Sequence, residues 1–172
     1  MTDKALLPES TTYMAEIAKS YKRVLSDKLG STGKDLFDCV ISGGTFVPSF
    51  KDMGDGIIVG RFNYEAVFMF EALPAAKLDP RILMASTVTW LLENDTERQG
   101  LKLPPPKIDV DAYSSDGTPV SDMEITLTFS EPVTMKETTA DVGDVFYNGK
   151  WWGIAPYVIH VAEETRVIGH GA

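Results

Sequence analysis

The stretch Arg61-Phe62-Asn63-Tyr64-Glu65-Ala66-Val67-Phe68-Met69-Phe70-Glu71 alternates strictly between two kinds of side chain. Phe62, Tyr64, Ala66, Phe68 and Phe70 fall on one face, and Asn63, Glu65, Val67, Met69 and Glu71 fall on the other. Successive strand residues point to opposite faces, so this is a strand with one aromatic face and one partly wet face. An aromatic face of that size requires a helical layer over it.

Downstream, Asp79-Pro80 supplies an N-cap and a first-turn proline, which predicts a helix from Pro80 to Glu97. Ile82, Leu83, Ala85, Val88, Trp90, Leu91 and Leu92 give it a wide apolar surface, expected to be buried on more than one side. Asp95-Thr96-Glu97-Arg98 marks the exit, and Pro104-Pro105-Pro106 makes a stiff connector. Lys107–Ser114 alternates as a strand. Asp116-Gly117 then turns the chain, with Thr118-Pro119 expected to lengthen the loop beyond a tight hairpin. Val120–Val133 alternates again, with Met123, Ile125, Leu127 and Phe129 inward, and Pro132 is expected to end or edge it. Asn148-Gly149 between Val145-Phe146-Tyr147 and Lys150-Trp151-Trp152 is a strong hairpin signal.

Upstream, Met14, Ile17, Ala18, Tyr21 and Leu25 form one apolar stripe backed by Glu16, Lys19, Lys22 and Arg23. This predicts a helix over Pro8–Leu29, with Glu9, Ser10 and Thr11 in its first turn and Gly30 as C-cap. Between Ser31 and Asp55, Leu36, Phe37, Cys39, Val40 and Ile41 suit a short helix or strand. Ser42-Gly43-Gly44 is read as a break, and Asp52–Gly56 as a turn before a short strand, Ile57-Ile58-Val59. A long loop is expected in this region.

The 172 residues suit one domain: an N-terminal helix over 1–30, a core over 57–152 and a C-terminal extension over 153–172. A formal charge of -9 argues against nucleic-acid binding, which needs clustered Lys and Arg. Cys39 is the single cysteine, so no intrachain disulfide can form and a reducing compartment is expected. No apolar run has the length of a signal peptide or a membrane span, which points to synthesis and folding in a cytoplasm without membrane insertion.

Motifs that could carry chemistry fail one by one. Gly54-Asp55-Gly56 with Gly60 has the wrong spacing for a dinucleotide loop and precedes a strand. Asp109, Asp111, Asp116 and Asp122 suggest a calcium loop, but Tyr113, Ser114 and Val120 occupy positions that need a ligand, a glycine and a glutamate. His160 and His170 have no ligating or nucleophilic companions, and Cys39 reads as a small core residue. Asn94-Asp95-Thr96 is a formal glycosylation sequon without a secretory context. No catalytic set, cofactor site or metal site is expected. Trp151 and Trp152 point to opposite faces of a strand, so one can enter the core while the other faces outward as an interface anchor. The competing reading is that the chain's own C-terminal tail covers both, and the two readings weigh equally. Tyr157 is the third interface candidate.

The strand Phe62–Glu71, then Leu78-Asp79-Pro80-Arg81, then the helix ending Thr89-Trp90-Leu91-Leu92-Glu93-Asn94, resembles the tail completion protein R family of temperate contractile-tailed phages. Ile108–Ala112, Glu124–Phe129 and Tyr147-Asn148-Gly149 fit the family's second half, so the resemblance covers roughly half of the chain. It implies an α+β fold, a mainly antiparallel β-sheet packed by two principal helices. It also implies a non-enzymatic virion protein that forms a homo-oligomeric ring, six-fold as a rule. That ring caps the tail tube at the head-proximal end and meets a neck or connector protein, with the sheath as a further contact. Two rivals remain: a head-completion or connector neck protein, and a small ligand-binding or hydrolytic α+β domain with its site under the Ser31–Gly56 loop.

Overall fold

The computed structural model describes residues 12–155. It contains helix α1 (Tyr13–Leu29), a 3-10 turn (Gly33–Leu36), strands β1 (Phe37–Asp52) and β2 (Ile57–Pro74), and helix α2 (Pro80–Asn94). Strands β3 (Lys107–Ser115), β4 (Thr118–Thr138), β5 (Val145–Tyr147) and β6 (Lys150–Ala155) follow. This is the expected α+β fold, two helices with a mainly antiparallel sheet. The strand order is β1-β2-β4-β6-β5, and β3 also pairs with β4. β1, β2 and β4 are long enough to contribute to two compact units. Residues 12–47 and Arg61–Glu131 form the unit that carries the helices. Pro48–Gly60 and residues 132–155 form the second.

In the helix-bearing unit the alternation of β2 is obeyed. Tyr64, Ala66, Phe68 and Phe70 are buried, while Glu65 and Glu71 are exposed. The phase slips by one residue at Ala72, whose φ of 51° puts it in the left-handed region, and Leu73 becomes the next buried residue. β4 supplies Met123, Ile125, Leu127 and Phe129 to the same core, and α1 supplies Ile17, Ala18, Tyr21 and Leu25. Asn63 pairs with Ser130, and Ala72 donates its N–H to Asp122. The two strands therefore run in opposite senses. Tyr21 has no exposure and packs edge-on against Phe68 at 5.2 Å and Phe70 at 5.3 Å. Its hydroxyl meets Thr87 Oγ1 at 2.6 Å, and Thr87 Oγ1 donates to the Leu83 carbonyl at 2.8 Å. Threonine has one hydroxyl proton, so Tyr21 is the donor in the first bond.

α1 begins later than the expected Pro8. Thr12 is extended, and its hydroxyl caps the Ala15 N–H. Residues 1–11, with the expected first turn, lie outside the described residues. Gly30 is the C-cap, with φ 82° and its N–H on the Ser26 carbonyl. α2 opens as expected, with Asp79 capping and Pro80 at the start, but ends at Asn94 instead of Glu97. Its apolar surface is not buried on more than one side within the chain: Leu83, Thr87 and Leu91 are buried, while Val88 is exposed and Leu92 is 74% exposed.

The expected loop within Ser31–Asp55 is in fact the long strand β1. Ser42-Gly43-Gly44 does not break it. A Cβ at Gly44 would lie 2.7 Å from the Phe62 ring, so this glycine admits the neighbouring aromatic. Ile57–Val59 is not a separate strand but the start of β2. The Asp52–Gly56 turn is present, with the Met53 N–H on the Gly56 carbonyl and Gly54 at φ 88°.

Two proline expectations also change. Asp116 at φ 50° and Gly117 at φ 77° make a tight two-residue turn, and Ser115 pairs with Thr118 and Ser114 with Pro119. Pro132 does not end β4. β3 pairs with β4 up to Thr126 and β6 pairs from Thr134 onward, so Pro132 lies in the gap between two partners, where a missing N–H breaks no ladder on that side.

Thr87→Val leaves the Tyr21 hydroxyl buried without a partner, and should destabilise the protein by about 1–3 kcal/mol. Adding Tyr21→Phe should recover most of that loss, read as denaturant midpoints at constant m. A single Thr87→Val variant as stable as the wild type would overturn the hydrogen-bond chain.

Candidate assembly interface

Buried polar residues gather at the end of α2, in the helix-bearing unit. Asn94 turns its amide back to the Trp90 carbonyl, and the Asp95 N–H continues to the Leu91 carbonyl. Buried Asp95 binds Arg98, which also donates to the carbonyls of Thr128 and Pro104 at 2.7 Å each. The Trp90 ring stands edge-on to Tyr13 at 6.0 Å and to Phe129 at 6.4 Å. Arg98 lies over the Phe129 ring. Arg61 joins Glu97 to the Ser130 carbonyl. Glu131 accepts from the Tyr64 hydroxyl and, at 2.7 Å, from the Tyr13 N–H.

These groups titrate away from their ordinary ranges. Burial pushes the Glu131 carboxyl up, against the hydrogen bonds from Tyr64 and Tyr13 that hold it down. Burial also raises Asp95, against Arg98. The Tyr13 phenol is pushed up to about 12, first by burial and then by Asp95, Glu97 and Glu131. Such shifts can mark a catalytic centre. Here each carboxylate is matched to donors of the same cluster, as in a clasp joining the α2 exit to β2 and β4.

In the second unit, β5 and β6 form the expected hairpin. Asn148 at φ 53° and Gly149 at φ 73° make the turn, Tyr147 pairs with Lys150, and Phe146 pairs with Trp151. Trp151 and Trp152 are both half-buried, so neither is a core residue. Each lies near an aromatic of β5: Trp151 meets Phe146 at 5.3 Å, and Trp152 meets Tyr147 at 6.4 Å. The Trp152 indole N–H donates to the Tyr147 carbonyl at 2.9 Å. Phe50 of β1 reaches the Tyr147 ring at 6.1 Å. Phe50 and Phe146 are each 61% exposed. Five aromatic side chains thus gather at this hairpin in two sets on its opposite faces, Phe146 with Trp151 on one and Tyr147 with Trp152 and Phe50 on the other.

The two tryptophans are candidates from the sequence, whereas Phe50 falls in the region where a long loop is expected and is not among them. The signal was present: Val40, Phe46 and Phe50 share one parity along a run without charge. Tyr157, His160, His170 and the tail set against the tryptophans lie outside the described residues.

The other candidates settle into plain roles. Cys39 is half-buried, and burial pushes its thiol up, which makes it a poorer nucleophile. The Asp109–Asp122 group lies across the β3–β4 ladder, where Asp111 faces Asp122 and Asp109 faces Glu124. Among the described residues no three His, Cys, Asp or Glu side chains are grouped to hold a metal ion, and no helix is long and apolar enough to cross a membrane.

A family model described as P2 phage tail completion protein R (GpR) matches residues 18–156. The match takes in all of β1, well beyond the half of the chain that carries the sequence resemblance. An uncharacterized 19.2 kDa protein from the rep-hol intergenic region of Haemophilus phage HP1 (strain HP1c1) is 32% identical over 114 residues. The alignment spans 66% of each chain, just under two thirds of that relative's length. No solved structure matches the chain.

Glu131 gives a pH test. Its folded pKa lies above the ordinary value of 4.5, so the folded state binds the extra proton. Its contribution should be neutral below pH 4.5 and become destabilising as pH rises through the folded pKa. Subtracting the Glu131→Gln stability curve from that of the wild type, by urea titration between pH 4 and 8, should isolate this fall. Parallel curves would exclude it.

Proposed function

The chain belongs to the P2 phage tail completion protein R family, and from that premise we propose that it is a virion structural protein closing the head-proximal end of the tail tube. One observation carries the reading beyond the family description: the aromatic hairpin of the second unit, with Phe146 and half-buried Trp151 on one face, Tyr147, half-buried Trp152 and Phe50 on the other, and Phe50, Phe146 and Tyr147 exposed. It offers apolar contact area without an enclosed site or convergent catalytic groups, which suits docking to another protein.

In this reading the protein works by surface complementarity. Copies join by a heterologous contact whose rotation closes, giving a ring, six-fold as in the expectation from resemblance. One face of the ring matches the last layer of tube subunits. The other differs from a tube subunit, so growth stops there and a neck or connector protein can bind. The aromatic hairpin, with Trp151 on one face and Trp152 on the other, is the anchor toward the tube. A contact with the sheath at the ring's rim belongs to the same arrangement. No step needs a cofactor or a bond-breaking group.

Purified protein should form closed rings by negative-stain imaging and light scattering, at least when tube ends are present. Labelled protein should sit at the head-proximal end of assembled particles. A monomer that ignores tube ends would sink this reading, and a position at the portal would favour a connector role. Phe50→Ser combined with Phe146→Ser should leave the circular dichroism spectrum unchanged, because both side chains are largely exposed. The double variant should bind tube ends at least tenfold more weakly, the loss of about 1.4 kcal/mol expected for removing an interface anchor.

A further inference from the structure

The sheet of the helix-bearing unit runs β1-β2-β4-β3 and so, among the described residues, has two free edges. They are guarded differently. β3 carries Lys107, Asp109 and Asp111, and it lies in register with Glu124 and Asp122. Charges on an edge strand repel an incoming strand, which is how folded proteins block edge-to-edge association.

β1 has no such guard. From Cys39 to Val47 it contains no charged residue and no proline. Val40, Ile41, Phe46 and Val47 are each about half exposed. By strand alternation Val40 and Phe46 lie on one face, and Ile41 and Val47 on the other. The segment is therefore largely exposed on both faces, apart from Cys39 against the core, Gly44 beside the Phe62 ring and Ser42 donating to Glu65 at 2.7 Å, and among the described residues it is open along one edge. An edge strand of this kind is a template for pairing with another chain.

We propose that Cys39–Val47 is the seam along which one copy of this chain joins the next, through backbone pairing of β1 with a strand of the neighbouring copy. The free edge supplies the hydrogen bonds, and the half-exposed Val, Ile and Phe side chains supply apolar burial. Charge selects the occupant. Each copy carries a net charge of -9, so two copies repel over most of their surfaces and approach best along an uncharged run. A basic partner would be drawn instead to Asp109, Asp111, Asp122 and Glu124 at the opposite edge. The incoming strand is not the neighbour's own β1. Pairing of β1 with β1 is a two-fold contact that closes on itself, whereas a ring requires two different surfaces. The inference rests on the ring reading and names its joint.

The test uses the full chain in two forms. Ile41→Lys with Phe46→Lys should reduce the mass seen by light scattering from that of the ring to that of a monomer, with an unchanged circular dichroism spectrum. Should that variant misfold, a photo-crosslinking residue in place of exposed Thr45 still decides. In mixtures of light- and heavy-isotope chains it should join light to heavy chains, through peptides outside β1. A double variant that folds and keeps the ring mass overturns the proposal. So do Thr45 crosslinks confined to the same chain or to a second β1. A wild-type protein that stays monomeric with and without tube ends overturns the ring reading itself, so the two failures are distinguishable.

Discussion

The helix-bearing unit depends on covering the aromatic face of β2. Four alternate residues of one strand cannot leave water until a second layer is in place, and α1 provides that layer with Tyr21 at its centre. Tyr21 touches Phe68 and Phe70 from above while Phe37 packs beside both. Aromatic pairs of this geometry contribute about 0.5–1.5 kcal/mol each beyond the area they bury. A tyrosine so placed must also satisfy its hydroxyl. Thr87 of α2 does so, and this ties the second helix to the first through one buried bond. Both helices are thus positioned by the demands of a single strand.

The α2 ending shows how a sequence signature arises from packing. Trp90 fills the space between Tyr13 and Phe129, Leu91 is buried, and Asn94 caps the Trp90 carbonyl. Asp95 and Arg98 then fasten the exit to β4. Trp90 and Arg98 are set by neighbours from distant parts of the chain, and Asn94 and Asp95 by partners within one helical turn. Glu93 and Leu92 face outward. Leu92 is the exception that helix packing within the chain leaves unexplained, since it joins Val88 on a bare apolar side.

Legibility in the sequence followed the number of layers covering each element. β2, α1 and α2 are covered on one side, so their apolar periodicity is readable; the faces of β2 and α1 are as expected, whereas the width of the α2 apolar surface suggests more burial than exposed Val88 and Leu92 receive. Beyond Cys39, β1 is largely exposed on both faces, so its apolar residues fall on both, Val40, Phe46 and Phe50 on one and Ile41 and Val47 on the other, and the glycine pair imitates a break. Gly44 is there because Phe62 occupies the space above it, a fact that only the pairing of two strands reveals. Pro132 misled for a related reason, because a proline is disruptive only where its N–H has a partner to lose. In the candidate interface Trp151 and Trp152 stand out by residue type, whereas the sequence offers for Phe50 only its shared parity with Val40 and Phe46, and its place beside Tyr147 comes from folding.

The distribution of charge reconciles solubility with an apolar surface. At physiological ionic strength the field of a charged group is screened over about 8 Å, so net charge keeps copies apart in dilute solution but does not govern a fitted contact. What governs it is the local charge. β1 from Cys39 to Val47 has none, and Val145–Tyr147 has none, while β3 carries three in its first five residues. A chain meant to remain monomeric would gain from guarding β1 as it guards β3, at the expense of a few surface substitutions that disturb no core residue. Because the same sheet has, among the described residues, one charged edge and one without charge, the proposed pairing falls on the uncharged edge, where Ser42 donates to the Glu65 carboxylate, and the acidic remainder would disfavour other contacts between copies.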